Sequence, residues 1–150
     1  VRLFDFRSQV IVIINRQRTR KISTKKSREF AERVLLAINS THHSVTIVFV
    51  SDTAIKKLNR QFRGKNYATD VLSFPTQAED FERDNQSHLG EVVISVERAA
   101  AQAKENGLTF SNEVEQLILH GLLHLSGYDH ETDHGEMDRL ELRLRKQLGI

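Results

Sequence analysis

The sequence predicts an α/β fold: one domain with a small mixed sheet of about four strands covered by about five helices. Three observations carry this reading. Residues 10–14 and 45–50 are β-branched runs bounded by polar residues, as in the strands of a buried sheet. The segments between and beyond them repeat apolar residues every three or four positions, as amphipathic helices do. The length, 150 residues, suits a single core.

Between the first two strands, Ser23 or Thr24 caps a helix whose buried face is Phe30, Val34, Ala37 and Ile38. Asp52 is expected to cap a second helix, with Ile55, Leu58 and Phe62 turned inward and Lys56, Lys57, Arg60 and Arg63 on its exposed sides. Residues 71–74 form a short strand stopped by Pro75, and residues 92–96 form a fourth strand after an acidic loop at 79–84. The alanine-rich stretch from Glu97 is helical up to Gly107. Ser111 or Asn112 caps the next helix, whose apolar face is Val114, Leu117, Ile118, Leu122 and Leu125 and whose end is marked by Gly127. Asp133 and Glu136 form a capping box for a last helix, docked by Met137, Leu140, Leu144 and Leu148.

With 39% hydrophobic and 28% charged residues, the composition is that of a water-soluble globular protein. No apolar run approaches the roughly 18 to 20 residues of a membrane helix, and the first twenty residues are basic rather than built like a signal peptide. The expected location is the cytoplasm, with no membrane partner. The absence of cysteine excludes disulfides, a thiolate nucleophile and Cys-ligated zinc, so any metal must rest on His, Asp or Glu. Charge is distributed unevenly: residues 1–30 carry a net +7, whereas residues 111–150 carry a net −4. Lys56, Lys57, Arg60, Arg63 and Lys65 fall within ten residues that hold no acid, a surface suited to tracking phosphates.

Chemistry enters at His120-Gly121-Leu122-Leu123-His124-Leu125-Ser126-Gly127-Tyr128-Asp129-His130. Histidines four apart on a helix face the same way and reach one ion. Gly127 can end the helix in a left-handed turn, bringing His130 back toward the first pair so that three imidazoles take three corners of a tetrahedron. The open fourth corner is the catalytic arrangement for zinc, which activates water near neutral pH, and other divalent transition ions fit the same donors. Metzincin proteases share this spacing but carry a glutamate base immediately after the first histidine. Here that position is Gly121, which cannot take a proton, and peptide hydrolysis becomes the second choice. Tyr128, at the helix end, either stacks a base or packs, packing being the favoured reading, and His134 is expected to be a solvated surface residue ahead of a spare ligand or proton shuttle. His42, His43 and His88 are expected in loops.

This segment resembles the hallmark of the YbeY-type rRNA maturation factors, a family of single-strand endoribonucleases. Two further stretches are similar to that family's signatures: residues 58–65 followed by 69–75, and residues 89–95. The likeness runs over roughly residues 45 to 148, with Ala68 standing where many members carry proline and Glu91 where aspartate is usual. The resemblance implies that His120, His124 and His130 are the metal ligands, that His120 and Arg63 are catalytic, and that one zinc ion is bound. A guanidinium at position 63 can clamp the phosphoryl oxygens on which charge builds. Lys65, Arg60 and Ser73 are the expected substrate-binding residues; strand alternation turns Ser73 to the face opposite Leu72, where its hydroxyl either faces the cleft or is buried and bonded to backbone. Asp70 either orients a ligand or closes a local turn.

The resemblance implies metal-dependent cleavage of single-stranded RNA in rRNA maturation and ribosome quality control, with the small ribosomal subunit and its associated proteins as partners. Two rivals are a zinc metallopeptidase and a non-catalytic ribosome assembly factor whose zinc is structural.

Overall fold

The computed structural model describes residues 10–40, 43–76, 88–129 and 133–150. Within them the chain runs β1 (Ile11–Asn15), α1 (Thr24–Ala37), β2 (Ser44–Val50), α2 (Asp52–Arg63), β3 (Val71–Pro75), β4 (His88–Ser95), α3 (Val96–Asn106), α4 (Phe110–Leu125) and α5 (Glu136–Leu148). The four strands make one mixed sheet in the order β1-β2-β4-β3, as predicted in kind. β1, β2 and β4 are parallel, and β3 pairs antiparallel with β4, leaving β1 and β3 as the edges.

Strand alternation sorts the core into two layers. Val45, Ile47 and Phe49 of β2 and Val92 and Ile94 of β4 join α1, α4 and α5 in the main cluster, which also takes Val96 and Ala99 of α3. On the opposite face Val48, Val50, Val93, Leu72 and Phe74 meet α2 through Ile55 and Leu58. α4 is the centre of the main layer: Ile118, Leu119, Leu122 and Leu123 are wholly buried, and the helix touches β3, β4, α1, α3 and α5. Arg33 of α1 donates from Nη2 to the Leu148 carbonyl (2.8 Å), tying α1 to the last turn of α5.

Two glycines permit the closest approaches. A Cβ at Gly121 would stand 2.5 Å from Val92 Cγ1 and 3.0 Å from its Cγ2, so α4 seats against β4 only without a side chain there. Gly90, at φ +138°, would place a Cβ 2.1 Å from the Phe74 carbonyl oxygen of β3.

Element boundaries depart from the sequence reading where caps compete. Ser51, not Asp52, caps α2 by accepting from Ala54 N–H (3.2 Å). This frees the Asp52 carboxylate to receive the Ser95 hydroxyl and to pair with Arg98 at 3.5 Å. Thr109, ahead of Ser111 and Asn112, caps α4 through Asn112 N–H (3.0 Å). The predicted capping box does not form: the last helix starts after Gly135, two residues later than expected and with no side-chain cap, while Asp133 accepts from Gly135 and Met137 N–H and Glu136 from His134 N–H in the turn before it. β4 starts at His88, earlier than expected, because pairing with both β2 and β3 holds Leu89, Gly90 and Glu91 extended despite their weak strand character. His88 is thus in a strand, its Nδ1 2.7 Å from the Ser44 hydroxyl. Phe62, expected inside, is 53% exposed, since the end of α2 overhangs the sheet edge and offers it only the edge of Phe74 (centroids 5.3 Å). The buried turn of α2 uses Asn59 instead, whose amide donates to the Tyr67 carbonyl (2.9 Å) and holds the loop leading to β3. The acidic loop predicted at 79–84 lies outside the described residues.

Overpacking a core costs about 1–3 kcal/mol, against the ~1 kcal/mol that alanine gains over glycine in a helix. Gly121→Ala is therefore expected to destabilise the fold despite its better helix propensity, because wholly buried Val92 has little room to move. Gly90→Ala should cost more, since its clash is with backbone. Urea denaturation of both variants against wild type checks the sign and the order.

Candidate active site

The cleft lies where the end of α4 passes the open edge of β3. It encloses about 470 Å³ and is walled by His120, His124, Gly127, Tyr128 and Asp129 on one side, by residues 69–73 and Pro75 along the strand, and by Arg63 from α2. The sheet separates α2 from α4, so Arg63, the last residue of its helix, reaches the cleft only by crossing the β3 edge. Its Nη2 donates to the Ser73 carbonyl (2.9 Å) and its guanidinium lies 5.3 Å from the centre of the Phe74 ring.

His120 and His124 stand one turn apart with rings at 75° and Nε2 atoms 3.1 Å from each other. Two imidazoles on one tetrahedral zinc, with Zn–N of about 2.0–2.1 Å, would hold their nitrogens roughly 3.3 Å apart. The observed pair therefore fits two corners of such a site. His120 Nδ1–H donates to Glu141 Oε1 of α5 (2.8 Å), which fixes the tautomer and leaves Nε2 as a lone-pair donor facing the cleft. Glu141 is 9% exposed, and its other oxygen lies 3.5 Å from Arg145 Nη2. His130, the third ligand read from the motif, lies outside the described residues, and no group of three His, Cys, Asp or Glu is placed for an ion among the described ones.

Ser73 lines the cleft on the face opposite Leu72, and its hydroxyl donates to the Gly121 carbonyl (3.3 Å). Asp70 takes the local role: its carboxylate accepts from Val71 N–H (2.8 Å) and from the Thr69 hydroxyl (3.3 Å), fixing the turn into β3. Tyr128 does not pack as expected. It stands 36% exposed on the cleft wall, because Gly127 (φ 99°) turns the chain away from the helix before any neighbour can cover the ring. Arg60 is not brought to the cleft; with Thr53, Lys56, Lys57 and Asn66 it lines a separate recess on the outer side of α2. Lys65 is exposed just beyond α2 and does not line the cleft either. His134 is exposed at the start of the last helix, as expected.

Two acids escaped the sequence reading. Glu141 sits four residues after Met137 and three before Leu144, a carboxylate inside the apolar stripe of α5. Glu113 sits four residues before Leu117 and seven before His120 on α4, and is 5% exposed. An acid on a buried stripe was the available signal in both cases. Behind His120, Glu113 lines a recess of about 310 Å³ with Asp70, Gln116 and Arg145. Its Oε2 has no hydrogen-bond partner among the described residues.

Imidazoles on one wall and a guanidinium on the other make a site for hydrolysis of an anionic substrate, and the α/β scaffold sets it at a sheet edge. A family model described as Endoribonuclease YbeY matches residues 12–149, and the chain belongs to that family. The match takes in β1 and α1, beyond the stretch where motifs were legible. The protein named Endoribonuclease YbeY from Geobacter metallireducens is 37% identical over 141 residues, covering 93% of this chain and 94% of its own length. That of Alkaliphilus metalliredigens is 40% identical over 148 residues, covering 93% and 96%. The solution structure of a Thermotoga maritima protein shares the fold with a TM-score of 0.64 and 30% identity, over 93% of this chain and 89% of that one.

Burial raises the Glu113 carboxyl above its ordinary value of 4.5, the Asp70 charge raises it further, and Arg145 partly opposes both. The folded chain thus holds this proton to higher pH than the unfolded one. The stability tied to the neutral form is complete below the ordinary value and is lost as pH rises through the folded value. Glu113→Gln, which stays neutral, should match wild type at about pH 4 and gain in relative Tm toward about pH 8, measured by thermal melts across that range.

Proposed function

We propose that this protein is a zinc-dependent endoribonuclease of the cytoplasm that cuts single-stranded RNA, with ribosomal RNA precursors or defective rRNA of the small subunit as substrates. The observation that carries the reading is the convergence of His120 Nε2 and His124 Nε2, 3.1 Å apart, on the same cleft as Arg63. Membership of a family named for endoribonuclease activity supplies the substrate class. Ribosomal proteins of the small subunit follow as partners if the substrate is read in place.

His120, His124 and His130 would hold the ion. Bound there, zinc supplies Lewis-acid charge to a phosphoryl oxygen and acidifies water at neutral pH. The chain's own residues do the rest. Glu141 accepts from His120 Nδ1–H and so selects the tautomer whose lone pair lies on Nε2, toward the cleft. Arg63, anchored through one N–H on Ser73 and resting by the Phe74 ring, presents its guanidinium to a phosphate. Exposed Tyr128 offers a face on which an unpaired base can stack, consistent with single-stranded substrate. Away from the cleft, Arg60, Lys56 and Lys57 line a basic recess on the outer side of α2, with exposed Lys65 just beyond the helix, and these suit a more distant stretch of the RNA backbone. Gly121 argues against the peptidase reading in space as well as in chemistry: a glutamate there would drive into Val92.

Cleavage of a defined single-stranded rRNA fragment in zinc-buffered solution tests the proposal. Identically prepared His124→Ala is expected to fall to background, and Arg63→Ala to lose about 10²- to 10³-fold in kcat. Cleavage unchanged in both would sink the reading. Product ends distinguish water attack, leaving a 5′-phosphate, from 2′-hydroxyl attack, leaving a cyclic phosphate. Zinc affinity, read by competition with a chromophoric chelator, should weaken about 10- to 100-fold in Glu141→Ala, with Glu141→Gln retaining most of it because its amide oxygen still accepts from Nδ1–H.

A further inference from the structure

Among the described residues, the outer edge of β3 keeps one backbone N–H donor without an acceptor. Ser95 N–H donates to the Asp70 carbonyl and Thr76 N–H to that of Leu89, both at 2.9 Å, so the even-numbered residues of this strand face β4. Val71, Ser73 and Pro75 therefore turn their backbone groups outward, along the edge. Val71 N–H is taken by Asp70 Oδ1 (2.8 Å), Pro75 has no N–H, and the Ser73 carbonyl is taken by Arg63 (2.9 Å). Ser73 N–H remains, without an acceptor among the described residues.

That donor is placed in the cleft. Within a strand residue N–H and C=O leave on the same side, so the Ser73 N–H lies alongside the guanidinium that its own carbonyl holds. His120 and His124 line the same space. A peptide adding a strand to this edge would need a run of alternating donors and acceptors, and finds its donors blocked at Val71 and missing at Pro75. A single N–H beside a fixed cation matches instead one oxygen of a tetrahedral anion. Asp70, the carboxylate nearest in sequence, is turned to Val71 N–H.

We propose that the Ser73 backbone N–H is a substrate-binding donor that, with Arg63, holds a phosphoryl oxygen of the scissile phosphodiester. This rests on the nuclease reading above. It makes position 73 important through its main chain, with the hydroxyl secondary. Pro75 shows that this side of the strand accepts a residue lacking N–H.

The test compares three changes at one position. Ser73→Ala removes the hydroxyl and keeps the N–H. Ser73→Pro removes both. Replacing Ser73 by its α-hydroxy-acid analogue keeps the hydroxyl and turns the N–H into an ester oxygen. The readouts are kcat on a single-stranded RNA, affinity for a 2′-deoxy oligonucleotide of the same sequence under conditions where it is verified to stay intact, and bound zinc. The ester and proline forms should lose about a hundredfold in kcat, the scale of a single oxyanion donor, and bind the oligonucleotide less tightly with zinc unchanged, whereas Ser73→Ala, which loses the hydroxyl bond to the Gly121 carbonyl but keeps the N–H, should lose clearly less than either. An ester form equal to wild type in both kcat and affinity overturns the assignment, as does a loss confined to the proline form. A wild type that cuts no RNA overturns the nuclease reading instead, and oligonucleotide affinity then decides the amide by itself.

Discussion

The seating of α4 on the sheet at Gly121 is the constraint on which the cleft depends. Removing one side chain lets the helix backbone settle against Val92 and beside Ser73, and that places the next turn, with its two imidazoles, over the edge of β3. A helix held farther away would still carry His120 and His124 at the same spacing, but Arg63, arriving from the opposite layer, would not share a cavity with them. Geometry within the helix fixes the pair; geometry between helix and sheet makes the pair useful.

The same seat separates this site from metal-dependent peptidases with a similar histidine spacing. Those need a carboxylate directly after the first histidine, and here that direction is filled by the wall of the sheet. Carboxylates enter from elsewhere. Glu141 comes from a different helix and acts on the far nitrogen of His120, while Glu113 is buried to one side. Glu141, next to His120, thus orients an imidazole, which suits a reaction whose developing charge lies on phosphate and is met by a cation.

Much of the fold was legible because it follows from short-range pattern. β-branched runs marked β1 and β2, and apolar spacing marked α1, α4 and α5, since burial of one face leaves a regular trace. The histidine motif and Arg63 were legible for a related reason: they form dense local signatures. What could not be read were choices decided by partners distant in the chain. Ser51 displaced Asp52 as a cap because Ser95 and Arg98 claim the aspartate, and Phe62 lies outside because the sheet ends beneath it. Glu141 lies 21 positions from its imidazole and breaks an apolar stripe where a charge reads as noise. That Arg60 stands apart from the cleft was not legible either, because sequence proximity to Arg63 says nothing about which side of α2 a residue occupies.

The Arg33 contact to the Leu148 carbonyl gives the Glu141 pairing a wider meaning. α5 is held at its end by α1 and in its middle by His120, so the proton on that imidazole is governed by parts of the chain far apart in sequence. The histidine segment is consequently not portable. Spliced onto a foreign helix it would bring its imidazoles but neither the carboxylate that selects their tautomer nor the sheet that leaves room for Gly121. The smallest unit that recombination can move intact is a layer: α5 packed on α4, with the strand edge that α4 lies against.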